Sequence, residues 1–153
     1  MIDRRMVLGG AAALLATPAF ARRAAAARPI GLQLYTLRTL FQADPIATLE
    51  QVARIGYTEV EYGGGGYDTR DPAELRRATD RLGLRAPAVH MGLDALTERF
   101  DQSVTMAKTL GADTVVVPSI DSRQHSAEGW QQAVATMNRV AARLAERGLG
   151  FAY

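Results

Sequence analysis

The sequence predicts an α/β fold built on a parallel sheet, and two features of the chain lead to this prediction. First, apolar residues recur at helical spacing and then give way to short, extended apolar runs. Second, a glycine separates each predicted helix from the run that follows, and these glycines are spaced 27, 28 and 37 residues apart at Gly56, Gly83, Gly111 and Gly148. Glycine has no Cβ and readily adopts left-handed backbone just past a helix. A helix, a glycine and a strand repeated at this period are typical of consecutive βα units.

The extended apolar runs predict five strands. In the first run, Leu32 and Leu34 share one face, whereas Gln33 and Tyr35 share the other, because side chains alternate along a strand. A nearly continuous apolar run, such as the fourth, is expected of a parallel strand that is buried on both faces. The predicted strands are Pro29–Tyr35, Thr58–Tyr62, Arg85–His90, Thr114–Pro118 and a segment that begins at Leu149.

Four helices connect these strands. Asp44-Pro45 and Asp71-Pro72 each place a capping carboxylate directly before a proline at the first helical position. Apolar spacing predicts the third helix over 96–110, and the fourth begins near Ser126. Crossovers between parallel strands are nearly always right-handed. The chain therefore forms either a closing (β/α) barrel or an open doubly wound sheet.

The composition is that of one ordinary globular domain. The 153 residues are 48% hydrophobic and 22% charged, with a formal net charge of +2. The absence of cysteine excludes disulfides, thiolate catalysis and a cysteine-ligated metal. No basic stripe is interleaved with aromatic residues, so we expect no nucleic-acid partner.

The first 21 residues predict a twin-arginine export signal. Arg4 and Arg5 precede a weakly apolar stretch, and a small-x-small pattern ends at Ala21, where we expect cleavage. The apolar stretch is too short for a stable membrane span. Residues 22–28 form a short linker, residues 29–153 form the folded domain, and the mature protein is expected in the periplasm.

Polar residues at the ends of the predicted strands are the candidate site. Parallel βα sheets carry their sites at the carboxyl ends of the strands. Gln33 and Tyr35 end the first strand, and Glu61, His90 and Ser119 end or follow the next three. A carboxylate directed into an apolar interior needs a ligand, a metal or a partner, although a carboxylate at the rim can simply be solvated.

Other chemical motifs are absent or incomplete. His90 and His125 share no metal-ligand spacing, and His125 lies in a polar loop where we expect it to be solvated. Gly63–Gly66 does not complete a dinucleotide fingerprint, because Asp68 stands at the third glycine position. We expect a flexible βα loop there instead. No serine lies in a Gly-x-Ser-x-Gly elbow, so nucleophilic catalysis has no support.

Several segments together resemble the sugar phosphate isomerase/epimerase family, within the xylose-isomerase-like TIM barrel superfamily. The resemblance covers 29–153 and depends on the order and spacing of its segments, since no single one is very specific. Trp130 and Asn138 also match members that carry twin-arginine signals. The segments that carry the resemblance are Gly31–Arg38, Gly56–Tyr62, Ala88–His90 and Leu110–Asp113.

The resemblance implies a (β/α)₈ TIM barrel that acts on a sugar or polyol derivative. It implies proton transfer next to a carbonyl, assisted by a divalent metal such as Mn, Mg, Co or Zn. The family's metal ligands come mainly from later strands, so none is expected in this chain, and no catalytic residue is assigned. The resemblance assigns the wall of the substrate pocket to Gln33, Tyr35, Arg38, Glu61, His90 and Ser119.

A complete barrel of this kind has roughly 250 residues. We therefore expect the chain to be the N-terminal half, with the first four βα units and the start of strand five. Such a half is expected to be inactive alone and to self-associate through open sheet edges. Three alternatives remain: a periplasmic sugar-binding or assembly module without catalysis, a lyase or hydrolase acting on oxidised sugars, and an open flavodoxin-like domain.

Overall fold

The computed structural model describes residues 29–153. The export signal and the linker predicted over 1–28 lie outside the described residues. The strands are β1 (Gly31–Gln33), β2 (Glu59–Tyr62), β3 (Arg85–His90), β4 (Thr114–Val116) and β5 (Gly150–Ala152). The helices are α1 (Arg38–Ala43), α2 (Pro45–Ile55), α3 (Pro72–Leu82), α4 (Leu93–Glu98), α5 (Phe100–Leu110) and α6 (Ala127–Glu146).

The five strands form one parallel sheet in the order β1-β2-β3-β4-β5. Each strand pairs with the next one along the chain, so the sheet has no point at which the strand order reverses. A doubly wound sheet would show such a switch point, whereas a barrel adds its strands in sequence. The predicted α/β fold with barrel-type βα units is therefore confirmed. Self-association through the outer edges of β1 and β5 stays a prediction.

The helix boundaries follow the predicted capping residues. Asp44 Oδ1 accepts a hydrogen bond from Ala47 N at 2.9 Å, and Asp71 Oδ1 accepts one from Ala73 N at 2.9 Å. Helices α2, α3 and α5 end at glycines with φ of +109°, +67° and +85°. Glycine adopts these angles without the steric cost that a Cβ would add. Local sequence thus fixes where each βα unit turns.

The core lies between the sheet and the helices that cover it. Each inner strand contributes a valine that is almost completely buried, and the helices contribute leucines of similar burial. This packing fixes the strands whose carboxyl ends carry the candidate site. The fully buried side chains include Val60, Val89, Val115, Leu49, Leu75, Leu96, Leu110 and Leu144.

The first strand differs from the prediction, because β1 ends at Gln33 and not at Tyr35. A 3₁₀ turn over Leu34–Leu37 follows directly and leads into α1, a helix that the sequence pattern does not predict. The turn places Leu34 in the core with 1% of its surface exposed, and Phe41 of α1 is also fully buried. Burial of these two side chains thus explains why the chain leaves the strand early.

Two further boundaries also differ. Strand β4 ends at Val116, and Pro118 cannot extend it because proline has no backbone N–H to donate. The third predicted helix is two helices, α4 and α5, separated at Arg99 with φ of −129° and ψ of 39°. The Ser103 hydroxyl donates to Ala95 O at 3.2 Å and ties the two helices together. Leu96 before the break and Phe100 after it are both buried. The predicted apolar spacing therefore continues across the break.

None of the helices within 29–153 combines the length and the apolar character needed to cross a bilayer.

Candidate functional site

The candidate site is built on the carboxyl ends of β1, β2 and β3. Gln33 is paired in register with Glu61, and His90 ends the neighbouring strand β3. His90 Nε2 lies 2.5 Å from Glu61 Oε1, with 14% and 32% of the two side chains exposed. This contact is an ion pair when the imidazole is protonated.

The same ring nitrogen also faces Gln33. Its side-chain nitrogen, Nε2, lies 3.4 Å from His90 Nε2. One imidazole nitrogen cannot donate to a carboxylate and accept from an amide at the same time. With the ring proton on Nδ1, His90 Nε2 accepts from the Gln33 amide. At 3.4 Å this hydrogen bond is long, so the Gln33 amide can exchange it for a stronger one to a ligand.

His90 is fixed by its neighbours on both sides. The Tyr67 hydroxyl donates to the backbone carbonyl of His90. Burial raises the pKa of Tyr67, so its hydroxyl stays protonated as a donor. A Cβ on Gly63 would lie 2.9 Å from His90 Nδ1, so only glycine leaves the ring in its observed position. The glycine loop thus packs against the site and does not need to move for the site to form.

Tyr35 and Arg38 form a separate pair on the 3₁₀ turn and α1. The Arg38 guanidinium lies 4.5 Å from the centre of the Tyr35 ring, and Arg38 Nη1 donates to Tyr35 O at 3.0 Å. The ring is 53% exposed. A Cβ on Gly64, which has φ of +70°, would lie 2.7 Å from the ring. Tyr35 is therefore held at the rim by Arg38 and the glycine loop, and not by a strand as predicted.

These elements border a cavity of about 530 Å³. Of the six residues predicted to line the pocket, Gln33, Tyr35, His90 and Ser119 line this cavity. Glu61 and Arg38 are not among its lining residues, but each contacts a residue that is. The predicted residues therefore lie together at one rim of the sheet.

Other lining residues were not predicted. They come from the 3₁₀ segment after the glycine loop and from the region where α4 meets α5. Neither region carries a sequence pattern that indicates a site, because only the tertiary structure brings α5 and the segment after the glycine loop to the same cavity. The polar members of this set are Tyr67, Asp68, Arg99, Gln102 and Ser103.

His125 lies apart from the cavity lining. Its side chain is exposed, as expected, and its ring stacks on Trp130 with the centres 5.9 Å apart and the planes 16° apart. His125 therefore serves as a useful reference for experiments on His90.

The residues 29–153 do not fit a divalent metal centre by themselves. They contain no group of three His, Asp or Glu side chains arranged to hold a metal ion. Glu61 and His90 offer one oxygen and one nitrogen, but these two atoms are in contact with each other. Divalent cations in proteins need more donors than this pair supplies. We therefore derive no chemical step through a metal.

Comparisons with known proteins point to one family. A sequence model described as a xylose isomerase-like TIM barrel matches residues 49–153. No curated protein matches the chain significantly. Several solved structures share its fold.

A sugar phosphate isomerase/epimerase from Parabacteroides distasonis aligns with a TM-score of 0.66 at 21% identity, over 80% of this chain and 49% of its own. A family 2 AP endonuclease from Brucella melitensis aligns with a TM-score of 0.60 at 16% identity, over 80% and 54%. A D-psicose 3-epimerase, solved in the presence of D-fructose, aligns with a TM-score of 0.57 at 17% identity, over 79% and 50%. At these identities the likeness shows the fold, and the chain spans about half the length of these structures.

Proposed function

The chain belongs to the xylose isomerase-like TIM barrel family, and on that premise we propose that it forms the sugar-binding wall of an isomerase or epimerase. The reaction we propose moves a proton at a carbon next to the carbonyl of a sugar or polyol derivative. Two of the structural neighbours carry isomerase or epimerase names, which supports this choice over other activities. The divalent cation implied by the family resemblance remains part of the proposal for the whole barrel.

The observation that carries the proposal is the group of Gln33, Glu61 and His90 at the mouth of the cavity. Sugar hydroxyls both donate and accept hydrogen bonds, so they pair well with an amide that has no other good partner. Gln33 supplies such an amide, since its hydrogen bond to His90 is long at 3.4 Å, and Ser119 adds a hydroxyl to the cavity lining. We assign to His90 a hydrogen bond with a substrate oxygen. The Glu61 carboxylate contacts the imidazole and orients the ring.

Hydrogen exchange in deuterated water tests this proposal. The test uses the whole barrel that contains this chain, because this half of it is expected to be inactive alone. The purified whole barrel is incubated with ketohexoses, aldohexoses, their phosphates and oxidised sugars, with Mn²⁺ added, and deuterium next to the carbonyl is followed by NMR. We expect deuterium to enter at least one sugar. His90→Gln should lose sugar binding and exchange together, whereas His125→Gln, which changes the exposed histidine outside the cavity, should keep both.

The outcomes separate the alternatives. Binding of a sugar without exchange would favour a binding module that performs no catalysis. Formation of an elimination or hydrolysis product from an oxidised sugar would favour a lyase or hydrolase. If no sugar in the panel binds, or if His125→Gln has the same effect as His90→Gln, the proposal is wrong.

Export to the periplasm belongs to the same proposal. It depends on Arg4 and Arg5 and on the cleavage site after Ala21. Replacing both arginines by lysine should keep the precursor in the cytoplasm, as measured by fractionation and by the mass of the mature N-terminus. Unchanged export of this variant would contradict the twin-arginine signal.

A further inference from the structure

A second hollow continues the cavity outward across the rim of the barrel. It has a volume of about 540 Å³ and lies between residues 68–72 and the exposed face of α5. The two hollows share Asp68, Gln102 and Met106 as lining residues. They are therefore two parts of one cleft. We call the second part the outer groove, lined beyond the shared residues by Thr69, Arg70, Pro72, Asp101 and Thr105.

The polar groups shared by the two hollows are available for a ligand. Asp68 and Gln102 are exposed, and neither side chain makes a hydrogen bond or ion pair with another residue in 29–153. A carboxylate accepts hydrogen bonds, and an amide both donates and accepts them. Met106 lies half-buried between them and supplies an apolar surface. An apolar surface flanked by a carboxylate and an amide suits a ring that carries hydroxyls.

The charges along the outer groove favour a neutral ligand. Asp101 is paired with Arg147, with Nη1 and Oδ1 2.5 Å apart, and Arg70 donates to Gln42 O at 2.7 Å. The Asp68 carboxylate has no such cation beside it. The hydrogen bond to the neutral Gln42 carbonyl leaves the positive charge of Arg70 in place, so the charges of Asp68, Asp101, Arg70 and Arg147 cancel. The outer groove therefore has no excess of cations that would select a phosphate, and a neutral sugar ring needs none.

We propose that the outer groove is a second subsite that binds a neutral sugar ring, joined by a glycosidic bond to the unit in the cavity. The substrate is then a disaccharide or other glycoside, and not a free monosaccharide. Small-ligand sites have volumes of roughly 300–1,000 Å³, and each hollow alone lies within this range. A single sugar ring would therefore occupy one hollow and leave the other empty. Asp68 and Gln102 lie at the junction, where they can bind hydroxyls of both rings. This inference rests on the proposed sugar specificity of the cavity.

Paired titrations of the whole protein test the second subsite. The probes are D-glucose, methyl glucoside, maltose and cellobiose, and the readout is the dissociation constant by calorimetry. We expect a disaccharide to bind about tenfold more tightly than the monosaccharide, because one or two added hydrogen bonds are worth about that factor. Thr105→Arg, which fills the outer groove, should reduce this ratio to near one.

The control is Thr97→Arg on α4, which lines neither hollow. The two threonines are matched, since each is exposed and each donates its hydroxyl to a helical carbonyl four residues earlier. The control should leave the affinities for both sugars unchanged.

The possible failures can be told apart. If the monosaccharide binds and no disaccharide binds more tightly, the second subsite is wrong and the proposed function stands. The same holds if Thr105→Arg leaves the ratio unchanged. If no sugar binds at all, both proposals are wrong.

Discussion

His90 Nε2 lies 2.5 Å from Glu61 Oε1, although the two residues belong to different strands and to different βα units. The contact exists because parallel strands bring their carboxyl ends to the same edge of the sheet. The contact is an ion pair when the imidazole is protonated. The orientation of the imidazole therefore depends on a carboxylate that does not itself line the cavity.

The first prediction concerns Glu61→Gln. The amide keeps the size of the side chain but removes the negative charge of the carboxylate that contacts His90 Nε2. We expect sugar affinity to fall by about three- to tenfold, since a charged acceptor is worth about 1 kcal/mol more than a neutral one. The measurement is the dissociation constant of a bound sugar, with the urea midpoint as a check on folding.

Glu59→Gln is the matched control for this change. Glu59 lies on the same strand, and its Oε1 lies 3.2 Å from Nη1 of the exposed Arg85. Glu59 lines neither hollow, so this variant should leave sugar affinity unchanged. Equal losses in the two variants would show that the Glu61–His90 contact has no special role.

The second prediction concerns Gly63→Ala. The added Cβ would lie 2.9 Å from His90 Nδ1, so the imidazole must shift away from it. We expect a change in the imidazole ¹⁵N signals of His90 and a loss of sugar affinity, while the domain stays folded. Gly66→Ala is the comparison, because its Cβ would contact only Thr69 Oγ1 at 3.5 Å. At Gly66 the φ of +70° makes alanine cost about 1 kcal/mol of stability, but His90 should not move. Unchanged His90 signals in Gly63→Ala would contradict this prediction.

Most of the fold could be predicted from local sequence signals. The capping aspartates at 44 and 71 and the glycines after the helices lie where the structure has helix ends. Such signals act within a few residues, so they are visible without knowledge of the tertiary structure. The strand order follows from the βα repeat, because each short unit returns beside the previous strand.

The site could be predicted only in part, and the missed residues share one cause. Gln33, His90 and Ser119 end or follow strands, and so their position follows from the sheet alone. Asp68 and Gln102 line the same cavity only because the tertiary structure brings α5 near the segment that follows the glycine loop. Tyr35 leaves the strand because Leu34 turns into the core. Tertiary packing decides these positions, and no periodicity in the sequence records it.

The third prediction compares two buried tyrosines. Tyr67 donates to the carbonyl of His90, whereas the Tyr62 hydroxyl is buried without a hydrogen-bond partner among the described residues. Burial raises the pKa of both, so both hydroxyls are neutral at ordinary pH. We expect Tyr67→Phe to lower the free energy of unfolding by about 1–2 kcal/mol, because it leaves a carbonyl unsatisfied.

Tyr62→Phe should be neutral or stabilising by up to about 1 kcal/mol, since it removes a hydroxyl that has lost its water without gaining a partner. Urea unfolding of the two variants beside the wild type measures both effects. The prediction is wrong if Tyr62→Phe proves the more destabilising of the two.

The last prediction concerns the pH dependence of the loop before α6. Hydrogen bonds from the Arg123 side chain, and then from its backbone N–H, lower the pKa of Asp121 from its usual value of 3.8 to about 2. A carboxyl whose pKa is lower in the folded state stabilises the fold above its unfolded pKa, and it loses this contribution as the pH falls from about 4 to about 2. Arg123→Ala removes the side-chain bond and keeps the backbone bond, so the pKa of Asp121 should rise part of the way towards 3.8. An NMR titration of the Asp121 carboxyl carbon measures this, with Arg139→Ala on α6 as the control that should change nothing. A pKa of Asp121 near 3.8 in the wild-type protein would show that this loop is not held by the carboxylate.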